Sequence, residues 1–125
     1  MNKIVTQLKS TSVAVELMSA YRSLYEEAGK ELSKIDLELV MSMLRYQTKY
    51  PEKTPWVRLE IIFHPSVDQT VKKDELFEKT GSSADIRDGN IFIVDHFVTL
   101  QNLEELARDE EIEYIKGEVM PSRRY

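Results

Sequence analysis

WVRLEIIF, Trp56 to Phe63, alternates strictly. Val57, Leu59, Ile61 and Phe63 fall on one side, and Trp56, Arg58, Glu60 and Ile62 on the other. Side chains along a strand point alternately to opposite faces, so this pattern predicts a β-strand buried on one side. It opens directly after PEKTP, Pro51 to Pro55, a polar segment bounded by two prolines that reads as a rigid turn or linker. The strand therefore starts a new unit of the chain.

Downstream, His64-Pro65-Ser66 breaks the strand. Thr70 is a candidate cap for a helix over Val71 to Thr80, with Val71, Leu76 and Phe77 as its apolar side, and Gly81 stops it. Ser82 to Arg87 predicts a weak strand. Asp88-Gly89-Asn90 is a hairpin signal, because these residues tolerate positive φ. Ile91 to Val98 is the next strand. Either Ile91 or Phe92, with its alternates, belongs to the side away from the core. Thr99 caps a helix carrying Leu100, Leu103, Leu106 and Ala107. An acidic turn at Asp109-Glu110 leads to a final strand, Ile112 to Lys116.

Upstream, two helices are expected. From Ser12 to Lys30 the positions Val13, Val15, Leu17, Met18, Tyr21, Leu24, Tyr25 and Ala28 include helical i, i+3, i+4 steps, and Gly29 is a stop. A second helix runs from Ser33 to Tyr50 on a Leu37, Val40, Met41 and Leu44 stripe. Ser33 and Asp36 resemble a capping pair at its start, and Pro51 ends it. The two form a helical hairpin over residues 1–50. From Trp56 the order is strand, helix, strand, strand, helix, strand, the split βαβ pattern of ferredoxin-like folds. The predicted class is α+β: an antiparallel βαββαβ sheet with two helices on one face, the other face left bare for a partner. Trp56, Arg58, Glu60 and Ile62 are the contact candidates on that bare face.

Composition narrows the function. A chain of 125 residues is long enough for one real core. A net charge of −5 argues against a nucleic-acid backbone as partner. The absence of cysteine removes disulfides, thiolate metal sites and a cysteine nucleophile. No apolar run approaches the roughly 18 residues of a membrane span. No signal peptide opens the sequence, so a cytoplasmic protein is expected. Asp95 and His96 are neighbours in a strand and point to opposite faces, so they form no catalytic pair. His64 and Asp68 share a turn without metal-site spacing. No nucleophile elbow, zinc-binding helix or phosphate loop occurs, and neither enzyme activity, metal nor cofactor is expected.

Several phrases together resemble a known family. WVRLEIIF resembles the opening strand of the propeptide domain of subtilisin-family serine proteases. LFEKTGSSADIRDGNIFIV is similar to that family's helix, glycine, weak strand, hairpin and strand. VTLQNLEELARDEEIEYIKGEV resembles its capped Leu-rich helix, acidic turn and V-x-Y-I strand. The likeness covers residues 56 to 125, which it implies are a propeptide-like inhibitor domain with an extended C-terminal tail. It implies a proteinaceous inhibitor, and also a folding chaperone, of a subtilisin-like serine protease. The bare sheet face would pack on the enzyme. The tail of Glu118, Val119, Met120, Pro121, Ser122, Arg123, Arg124 and Tyr125 would occupy the substrate cleft in product-like fashion, with Tyr125 in the primary specificity pocket.

The residues alone also describe such a plug, since an aromatic in a desolvated pocket is the usual energetic centre of an interface. The initial Met and the lack of a leader predict a free-standing inhibitor of an intracellular protease. The N-terminal helices lie outside the propeptide pattern; they are expected to dock on the domain itself, on the protease, or on a further protein partner. The alternative is a non-enzymatic interaction or oligomerisation module on the same ferredoxin-like fold.

Overall fold

The computed structural model describes residues 14–26 and 29–120. Helix α1 covers residues 14–26. Gly29 closes it at φ 56°, a left-handed conformation, and donates its N–H to the Tyr25 carbonyl. A single short turn, α2 (Lys30–Ser33), and then α3 (Leu37–Lys49) follow. The second helix thus starts at Leu37 and not at Ser33. Asp36 occupies the N-cap position but makes no side-chain cap bond. The reason is tertiary. Ile35 is extended and bridges Ile115 in parallel, with the Ile115 amide donating to the Lys34 carbonyl and the Asp36 amide to the Ile115 carbonyl. A helix through Lys34 to Asp36 would forfeit both bonds.

Strands β1 (Trp56–Phe63), β2 (Asp85–Arg87), β3 (Ile91–Phe97) and β4 (Ile112–Val119) form one antiparallel sheet in the order β2-β3-β1-β4. Helix α4 (Gln69–Thr80) lies between β1 and β2 in sequence, and α5 (Leu100–Ala107) between β3 and β4. The fold is α+β. The expected stops and caps at Gly81, Asp88-Gly89 and Thr99 are where the chain turns: Gly81, Asp88 and Gly89 have positive φ. Thr99 and Asn102 form a reciprocal capping box. The cap of α4 is Asp68, not Thr70; its carboxylate accepts from the Val71 amide.

One cluster of buried side chains fills the interior. Val57, Leu59, Ile61 and Phe63 of β1 pack with Phe92 and Val94 of β3, Ile112 and Ile115 of β4, and Leu103 and Leu106 of α5. Leu39, Val40, Met43 and Leu44 of α3 belong to the same cluster, so the N-terminal helical region and the sheet share one core. Leu17, Tyr21 and Leu24 of α1 lie against it. Lys34 ties the connection down by donating to the carbonyls of Ala107 and Asp109 at the end of α5, at 3.0 and 3.2 Å.

Helix α4 departs from expectation. Its buried positions are Lys72, Leu76 and Thr80, spaced by four, whereas Val71 and Phe77 are about half exposed. The Lys72 ammonium is buried because three carboxylates receive it: Asp109 at 2.8 Å, Glu111 at 3.0 Å and Glu75 at 3.2 Å. Burial alone would lower the Lys72 pKa, but these carboxylates outweigh it and hold the group above its ordinary value. Burial would likewise raise Asp109, yet the Lys72 bond and the Glu111 amide hold its carboxyl below the usual range.

The signs set the pH window. Asp109 stabilises the fold above its unfolded value, near 4, and that contribution is lost as pH falls through its lower folded value. The contribution of Lys72 is complete below its unfolded value, near 10.4, and is lost only as pH rises through the raised folded one. Stability is therefore expected to fall in acid. At neutral pH, Lys72→Met is expected to cost roughly 3 kcal/mol by leaving Asp109 without its cation. Urea unfolding at pH 7 and pH 3 checks both: the variant should show a shallower loss between the two than the parent.

Candidate functional site: the open face of the sheet

Because β1 is paired on both sides, its alternation sets the faces of the whole sheet. Residues directly opposite each other across strands share a face. Trp56 pairs with Phe97, Arg58 with Asp95, Glu60 with Ile93 and Ile62 with Ile91. On the other flank Arg58 meets Glu118, Glu60 meets Lys116 and Ile62 meets Tyr114. Asp85 and Arg87 of β2 extend the same rows beside Ile93 and Ile91. None of these residues belongs to the buried cluster. All four expected contact candidates, Trp56, Arg58, Glu60 and Ile62, are thus brought together on one face. On β3 that face takes Ile91, Ile93, Asp95 and Phe97, while Phe92 and Val94 are core.

The face is concave. A trough of about 760 Å³ lies over it, with Asp36, Arg58, Glu60, Ser82, Ile93 and Gly117 among its lining residues. Arg58 grips Asp95 with two bonds, Nε to Oδ1 at 2.9 Å and Nη2 to Oδ2 at 3.2 Å. That hydrogen bond, then the Asp95 charge, raises the guanidinium pKa further above its ordinary value. Tyr114 donates to Asp36 at 3.1 Å, and burial followed by this bond raises the phenol pKa. Trp56 meets Phe97 edge-on, ring centroids 4.8 Å apart, and Phe97 is 48% exposed. These are the properties of a binding surface: aromatic, half-wet, and studded with charges fixed by cross-strand partners.

The tail starts later than expected. β4 does not stop at Lys116 but runs to Val119. Glu118 lies on the open face opposite Arg58, and Val119 lies opposite Val57. The Met120 amide then donates to the Trp56 carbonyl at 2.8 Å. Glu118, Val119 and Met120 are therefore part of the sheet or tied to it. Pro121, Ser122, Arg123, Arg124 and Tyr125 lie outside the described residues. Gly117 explains the extension, since a Cβ there would stand 2.5 Å from the Arg58 carbonyl oxygen. Glycine inside a strand commonly marks such a close backbone approach.

Lys116, Asp85 and Tyr114 join the site although the sequence reading left them out, and Ile93 and Phe97 join it as the alternates of Ile91, one of the two parities left open for β3. The alternation of Lys116 and Glu118 against Ile115, Gly117 and Val119 was the available signal for the first. His96 lies opposite Val57 on the core side, away from Asp95. His64 Nδ1 faces the Ser66 hydroxyl at 2.8 Å, and Asp68 is committed to capping α4. No group of three or more metal-binding side chains occurs among the described residues. No helix among them is long and apolar enough to cross a membrane.

Comparison with protein-family models, with curated proteins and with solved structures finds no match to this chain.

The close approach at Gly117 makes a direct demand on stability. Gly117→Ala is expected to cost roughly 1–3 kcal/mol, the range for overpacking a well-packed site. The yielding atoms would be β1 backbone, not a flexible side chain. A urea midpoint equal to that of the parent would refute this account of why β4 continues past Lys116.

Proposed function

We propose that the protein is a proteinaceous inhibitor of a subtilisin-like serine protease, built as a propeptide-like body that presents the peptide after Met120 to the substrate cleft. One observation carries this reading. β4 bears Glu118 on the open face, and just past its end the Met120 amide is bonded to the Trp56 carbonyl, so the last described residue before the proposed inhibitory peptide is fixed beside the Trp56–Phe97 patch. A contact face and a following peptide on one strand are the two parts such an inhibitor needs. The βαββαβ order with strands arranged β2-β3-β1-β4 supports the ferredoxin-like assignment that the family resemblance implies.

In this reading the open face packs on the enzyme, with Trp56, Arg58, Glu60 and Ile62 at its centre. The extended peptide adds to the substrate-binding strands of the enzyme through main-chain bonds, and Tyr125 fills the primary specificity pocket. Ser122, Arg123 and Arg124 occupy the preceding subsites. A rigid body holding the peptide reduces the entropy lost on binding. The same contacts suit a folding chaperone of that protease. The partner is intracellular, and the protein itself is not an enzyme. A further protein partner for the N-terminal helices is supported by Val15, Met18 and Tyr25 of α1, all more than half exposed.

The test is an inhibition assay against a panel of subtilisin-like proteases. The full-length protein should inhibit at least one, and removal of residues 121–125 should abolish inhibition while the unfolding midpoint stays unchanged. Tyr125→Ala should weaken inhibition by about 2 kcal/mol, the scale of an interface hot spot. Equal potency of the shortened and full-length proteins, or no inhibition across the panel, would overturn the proposal.

A further inference from the structure

A second cavity lies on the core side of the sheet, where α4 and α5 meet β1 and β3. Its volume is about 310 Å³. Ligand sites range over about 300–1,000 Å³, so this one suits a single small metabolite and not a nucleotide. Its lining is graded in polarity. Leu59, Val98 and Leu106 are buried. His96 of β3 is half-buried, and Lys79 of α4 and Glu105 of α5 are exposed. The cavity is therefore apolar inside and charged toward water.

His96 is the residue that core packing does not explain. The core side of β3 and its exit reads Phe92, Val94, His96 and Val98, and the other three are buried apolar side chains. The His96 imidazole makes no hydrogen bond among the described residues. The Lys79 and Glu105 side chains likewise make no hydrogen bond or ion pair there, although Asp109 feels the Lys79 charge. An imidazole, an ammonium and a carboxylate thus line one small cavity, and none is committed to a partner.

We propose that this cavity binds a free α-amino acid with an apolar side chain. Lys79 and His96 hold its carboxylate, Glu105 holds its ammonium, and its side chain lies against Leu59, Val98 and Leu106. Charge selects this class of ligand. A simple anion would meet Glu105, and a simple cation would meet Lys79, each a like-charge contact. A purely apolar molecule would leave three polar groups facing it unpaired. A zwitterion satisfies both charges through charge-assisted hydrogen bonds and brings no net charge into a partly buried site. The inference stands apart from the protease reading, because this cavity and the open face are on opposite sides of the sheet.

The test uses the full-length protein and its two histidines. His96 lines the cavity, and His64 lies about 23 Å away along β1. Their ring resonances in NMR spectra are a reporter and an internal control. Valine, leucine, isoleucine, methionine and phenylalanine are titrated in turn. At least one is expected to shift the His96 resonances to saturation while those of His64 stay in place. Three analogues of the best binder each lack one group: its desamino acid, its decarboxylated amine, and glycine. Each is expected to bind about tenfold or more weakly, as are the Lys79→Met and Glu105→Gln variants toward the amino acid itself. Both substituted side chains are exposed, so the urea midpoints of the variants should match the parent. No His96 shift with any of the amino acids up to about 10 mM would overturn the proposal. So would an equal shift at His64, or binding indifferent to both substitutions. Equal binding of the desamino acid would also overturn it, leaving a site for simple carboxylates.

Discussion

The structure depends on β1 being hydrogen-bonded on both sides. A strand paired with two neighbours has no freedom to rotate, and a one-residue slip would exchange its faces. Val57, Leu59, Ile61 and Phe63 are essentially inaccessible, so the register is fixed by their burial. Pairing then transmits that parity outward. It assigns Phe92 and Val94 to the core through β3, and Ile115 through β4. The same step places Asp95, Phe97, Lys116 and Glu118 on the other side. The open face is thus a consequence of core packing: on β1 and β3 its side chains are there because their neighbours in sequence, Val57, Leu59, Ile61, Phe92 and Val94, are buried.

The edge of β4 shows how the N-terminal region is held. An exposed sheet edge offers unpaired amides and carbonyls. Here Lys34 to Asp36 take up the main-chain groups of Ile115, and Lys34 reaches further to the end of α5. Leu32, Ile35 and Leu39 then enter the common core. α3 is therefore fastened by main-chain bonds at one end and by side-chain burial along its length. Its start is displaced by four residues because the bridge to Ile115 satisfies backbone groups that a longer helix would have to satisfy itself.

What could be read from the sequence was local. The alternation of β1, the positive-φ turn at Asp88-Gly89 and the Thr99 cap each rest on residues within a few positions of one another, and the structure forms all three. The bare-face residues of β1 were legible for the same reason. What was missed depended on distant partners. Lys72 is buried because Asp109, 37 residues away, meets it, and its burial turns Val71 and Phe77 outward. Gly117 read as the end of a strand, because glycine weakens strands in isolation. Its meaning appears only beside the Arg58 carbonyl. The parity of β3 was undecided in IFIVDHF because both faces of that strand carry large apolar residues. Pairing with β1 decides it.

The two halves of the proposed interface are not independent. Glu118 lies on the open face opposite Arg58, and two residues later the Met120 amide is held by the Trp56 carbonyl. Between face and peptide there is no linker to order, because the intervening residues are strand and already bonded. For a partner that touches both, the second contact is made at an effective concentration set by a rigid connection. Neither contact then needs high affinity alone. It also means that the geometry of one constrains the other, because both start from the same hydrogen-bonded strand. For the proposed inhibitor, the spacing on the partner between what covers the face and what receives the peptide is thereby a condition on recognition, set by the hydrogen bonds that carry β4 past Gly117.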